Sequence, residues 1–65
     1  MTADLLAAAE PPITLRDEIE CIKRELKLRR KVYPRWIATQ RMAEGYANRE
    51  IAVMEAILRR LEAWP

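Results

Sequence analysis

Histidine, serine and phenylalanine are absent from this chain, cysteine and glycine occur once each, and no long apolar run is present. Each absence narrows the function. Without histidine, ordinary zinc sites and imidazole acid–base catalysis are excluded. Without serine or a glycine-rich loop, the common hydroxyl nucleophile and the usual phosphate cradle are missing too. A single cysteine, Cys21, allows no internal disulfide and suits a reducing cytosol. It lies off the apolar seam described below, and the expectation for it is a small, partly buried residue. No run approaches the ~20 apolar residues needed to cross a bilayer. The first ten residues are briefly apolar but carry Asp4 and Glu10 and no basic flank, so no signal peptide is expected. No catalytic residue, metal or cofactor is assigned, and a membrane partner is not expected.

What is present is a short, apolar and highly charged chain. The 65 residues are 51% hydrophobic and 34% charged, too apolar for a disordered tail. A compact domain of this size buries only about 60% of its unfolded surface. With no disulfide or metal to help, such a chain is expected to find further core in a second copy or a partner.

Pro11-Pro12 divides the chain into an arm, residues 1–13, and a helical domain, residues 14–65. The arm is either an unstructured leader or a short segment that lays Leu5 and Leu6 on a neighbouring subunit. Thr14 followed by Asp17 is a capping-box pattern, and Asp17 and Glu18 complement the positive end of a helix. Leu15, Ile19, Ile22 and Leu26 repeat at intervals of four, three and four, the seam of a helix packed on another helix. Continuing that seam reaches Arg29 and Tyr33, while Leu28 and Val32 form an adjacent stripe. Pro34 is expected to end or kink the first helix near residue 33, leaving 33–41 as a short helical or irregular connector that carries Trp36, Ile37 and Met42 into the core.

The second helix is expected over residues 43–64. Ala47, Ile51, Met54, Leu58 and Leu61 form its seam, and Tyr46, Val53, Ile57 and Trp64 a second stripe. Two adjacent stripes are wider than one partner helix covers. The expected fold is therefore all-α: an antiparallel hairpin of two long, coiled-coil-like helices, paired as a four-helix homodimer. Ile51, Met54, Ile57, Leu58, Leu61 and Trp64 are the expected dimer interface.

Charge is unevenly placed. Residues 23–41 hold eight bases and one acid, Glu25, a net of +7, and the rest of the chain is net −5. The closed end of the hairpin is thus basic. Arg29, Arg30, Tyr33, Arg35, Trp36 and Arg41 combine guanidinium groups with aromatics and form the candidate partner-binding surface, for an acidic protein or for nucleic acid. The competing reading is a solvated helix face. The bases also spread over several faces of the first helix, which weakens a nucleic-acid reading. Arg29 occupies a seam position, and an ion pair with Glu44 or Glu50 would account for it.

The stretch from Arg29 to Ile37, then Arg41-Met42, then Glu50 to Ile57 resembles small phage- and prophage-encoded helical proteins, in which a basic helix ends in a Val-Tyr-Pro junction before a second helix with a methionine-centred apolar pattern. Ala43 stands where that pattern offers a helix-starting serine. The resemblance implies a phage accessory protein in the host cytosol, with a host or phage protein as its target. It supplies no activity and no binding residues.

Overall fold

The computed structural model describes residues 11–64, and the expected arm falls outside them up to residue 10. Residues 11–14 precede the first helix as exposed, non-helical backbone. Two helices follow, α1 (Leu15–Ala38) and α2 (Glu44–Glu62), packed on each other as a hairpin. Among the described residues there is no strand.

The start of α1 is the capping box read from the sequence. Thr14 accepts from the Asp17 amide at 3.1 Å, and the Asp17 carboxylate accepts from the Thr14 amide at 3.0 Å. Two of the amides that a helix start leaves unpaired are satisfied in this way. The Asp17 carboxyl is held below its ordinary value, first by the Thr14 backbone amide and then by the Thr14 hydroxyl.

The end of α1 differs from expectation. The helix runs through Pro34 and stops at Ala38, so residues 33–38 continue α1 instead of forming a separate connector. Proline removes only one donor, the one that would reach the Arg30 carbonyl. The two positions flanking that defect in the seam are apolar and packed: Tyr33 is buried and Ile37 half-buried. Burial of those side chains offsets the lost bond, which local propensity alone does not register.

Termination comes instead from a left-handed residue. Gln40 has φ 60°. Its amide donates to the Ile37 carbonyl at 3.0 Å, and the Arg41 amide to the Trp36 carbonyl at 2.8 Å. This is the paired bonding of a Schellman motif, with glutamine where glycine is usual. The Thr39 hydroxyl adds a bond to the Arg35 carbonyl at 3.1 Å. The connector shrinks to residues 39–43. Ala43 then caps α2 without any side-chain hydrogen bond. Helix α2 ends two residues earlier than the periodicity predicts, leaving Trp64 beyond it and exposed.

The core is narrow. Among the described residues only Leu26, Tyr33, Ala47 and Met54 are buried. They are the seam positions of the two helices, so the predicted intervals do locate the contact. Cys21 departs from expectation: it is exposed.

Candidate functional site: the two faces of the hairpin

Ion pairs and groove-lining residues divide the hairpin into two unlike sides. On one side, charged pairs tie the helices together. Arg30 of α1 binds Glu55 of α2, and Lys23 Nζ lies 3.4 Å from Glu62 Oε2. Both members of each pair are largely exposed, so these contacts align the helices more than they stabilise them. Near the closed end this side narrows to a small groove between Pro34 and Ile37 on α1 and Asn48 and Ile51 on α2.

The other side is apolar. Leu28, Val32 and Trp36 of α1 share a groove with Met42 and with Tyr46 of α2. Toward the open end, Cys21 and Ile22 share a depression with Ile57 and Leu61, and Trp64 continues it past the end of α2. Val53 lies on the same stripe of α2, seven residues after Tyr46. Tyr46 is 59% exposed, Leu28 52% and Trp64 69%. The Tyr33 and Trp36 rings stand 5.8 Å apart at 34°, a tilted pair reaching from the core to this surface. The second stripe predicted for α2 is thus left uncovered by α1, as its width implies.

One polar cluster is set into the apolar side. Arg29 Nη1 lies 3.7 Å from Glu50 Oε1, and its Nη2 lies 3.7 Å from Glu25 Oε1. Nη1 also donates to the Tyr33 hydroxyl at 3.2 Å. The arginine on the seam is explained by the partner proposed from sequence, Glu50, together with Glu25 one turn before it.

The candidate contact residues at the closed end are therefore not one surface. Tyr33 is 8% exposed and belongs to the core, because it sits seven residues after Leu26 on the same seam. Arg29 is half-buried in its cluster, and Arg30 is engaged on the opposite side. Arg35, Trp36 and Arg41 are exposed. The candidate dimer residues also separate. Met54 is buried within the hairpin, and Ile51 lines the groove on the charged side. Leu58 is half-buried, while Ile57, Leu61 and Trp64 border the apolar side.

Glu50 and Glu55 point to different sides of α2, each occupied by an arginine, and among the described residues no cluster of metal-ligating side chains occurs. No helix of the described residues is long and apolar enough to cross a membrane. No family model matches the chain, and neither a curated protein nor a solved structure matches it.

Proposed function

We propose that this is a small non-enzymatic accessory protein, of the kind phages encode, that works in the host cytosol as a homodimeric four-helix scaffold and holds a host or phage protein as its inhibitor or adaptor. The observation that carries this reading is the uncovered apolar side of the hairpin. With four buried residues among those described, the hairpin leaves more potential core outside than it encloses, and burial of that surface is the largest stabilisation still open to it.

A second copy fits that side in size. Two helices set ~9 Å apart and ~30 Å long present a face of about 600 Å² in projection, near the ~800 Å² per partner of a standard interface. Arg41 at the closed end remains exposed to hold an acidic protein.

Sedimentation equilibrium of the full chain tests the dimer. The native chain is expected to be a dimer at micromolar concentration, and Val53→Glu a monomer that keeps its helical circular dichroism. A native chain that is monomeric and fully folded at that concentration overturns the reading.

A further inference from the structure

The twelve bases of the chain are sorted by their ion pairs. Arg16, Lys23, Arg29 and Arg30 each meet a carboxylate. Once these are set aside, helix α1 retains Arg24, Lys27, Lys31 and Arg35, all exposed and, among the described residues, without an acidic partner. Their spacing is three, four and four residues, which is one stripe on an α-helix, with rises of about 4.5, 6 and 6 Å along its axis. The bases of α1 look scattered in sequence because paired and unpaired ones alternate. Pairing removes those that lie off the stripe.

The stripe points away from α2. Arg24 stands two positions from buried Leu26, and Lys31 and Arg35 each stand two from buried Tyr33, about 200° round the helix. It meets the apolar side only at Leu28 and runs along the outer side of α1. One acid borders it: Glu20 shares a shallow depression with Lys23, Arg24 and Lys27. Glu25, the one acid within residues 23–41, is turned to the other side and engaged by Arg29. Glu20, at the stripe's N-terminal end, lies 3.3 Å from Arg16.

We infer that this stripe is a binding surface, separate from the apolar side, for the phosphate backbone of a nucleic-acid duplex. Four cations in a row, spaced by about one helical turn, match a ligand whose negative charges repeat at short, regular intervals. Two guanidinium forks and two ammonium groups grip phosphate oxygens without reading bases, so the contact is independent of sequence. A bilayer surface would require apolar side chains interleaved with the bases for insertion, and an acidic protein would be held through a central aromatic. The stripe has neither, since Trp36 belongs to the apolar side.

The test is fluorescence anisotropy of a labelled duplex of about 30 base pairs titrated with the full chain between ~50 and ~200 mM salt. Four phosphate contacts give a slope of log affinity against log salt of about −3.6, the same on two duplexes of unrelated sequence. Lys27→Ala with Lys31→Ala is expected to reduce that slope by about two, with helical circular dichroism and sedimentation unchanged. The off-stripe pair Arg59→Ala with Arg60→Ala is expected to leave it unchanged. Absence of binding at ~50 mM salt, a slope that the Lys27/Lys31 variant does not alter, or tighter binding to phosphatidylserine vesicles or polyglutamate than to duplex would overturn the inference.

Discussion

Arg29 reaches from α1 to Glu50 of α2 across the apolar side of the hairpin, its Nη1 3.7 Å from the carboxylate Oε1. The same guanidinium holds Glu25 and the Tyr33 hydroxyl, so one seam position joins both helices and orients the largest ring of the core. Both side chains of the cross-helix pair are about a third exposed, which limits its strength through solvent screening. A double-mutant cycle with Arg29→Ala and Glu50→Ala should return a coupling of about 0.5 kcal/mol that declines as salt rises. A coupling of zero at low salt would remove the pair from the description.

Much of this fold is legible in the spacing of apolar residues. Leu15 to Leu26 and Ala47 to Leu61 mark the contact between the helices, and the stripe of Tyr46, Val53, Ile57 and Trp64 marks what the contact leaves open. Thr14 and Asp17 mark the start of α1. Pro34 misleads because its local cost is real but smaller than the packing of Tyr33 and Ile37 on either side. Tyr33 itself was readable as core, being seven residues from Leu26, and the basic neighbours that suggest a contact surface conceal that. The division of the bases into a paired set and an outward stripe was only partly readable, since Arg16–Glu20 and Glu25–Arg29 are one-turn pairs but the cross-helix pairs are not local. It depends on where Glu50, Glu55 and Glu62 come to rest, which only the register of the hairpin decides.

The connector between the helices carries two local inefficiencies. Gln40 holds φ 60°, a conformation that glycine adopts without steric cost, and α2 begins at Ala43 with no capping side chain. Gln40→Gly should raise stability by up to about 1 kcal/mol, the relief of the left-handed strain less the added entropy of the unfolded chain. Ala43→Ser should add about 1 kcal/mol by bonding an unpaired amide of the first turn. The two sites share no partner, so urea midpoints of the double variant should show the gains adding.

Acid should loosen α1 from its first turn. The folded Asp17 carboxyl is held below its ordinary value by the Thr14 amide and hydroxyl, so its contribution is present above the unfolded value of ~3.9. It is lost as pH falls through the lower, folded value. An NMR titration should place the Asp17 midpoint below that of an unstructured aspartate, with amide protection of residues 17 and 18 falling in step. Asp17→Asn should remove this pH dependence, and a midpoint at or above the ordinary value would contradict the capping box.

Leu26 and Leu28 are the same residue type, two positions apart on α1, yet one is 2% exposed and the other 52%. Their truncations should therefore fail in different ways. Leu26→Ala opens a cavity at the centre of the small core it forms with Tyr33, Ala47 and Met54, at a cost of about 2–4 kcal/mol. For a chain this small that is comparable to its whole stability, so the variant should be largely unfolded at any accessible concentration. Leu28→Ala removes a side chain from the apolar side while leaving the helix contact intact, and should change the hairpin itself by less than about 0.5 kcal/mol. Its effect should appear instead in association. Because dimer formation stabilises the fold by mass action, the Leu28 variant should melt close to the native chain where both are dilute enough to be monomeric, and fall below it as concentration rises and the native chain dimerises first. Thermal melts across a hundredfold range of protein concentration, read beside sedimentation, distinguish the two. A Leu28→Ala deficit that persists undiminished at dilutions where both chains sediment as monomers would place that residue in the hairpin core and not at a contact between copies.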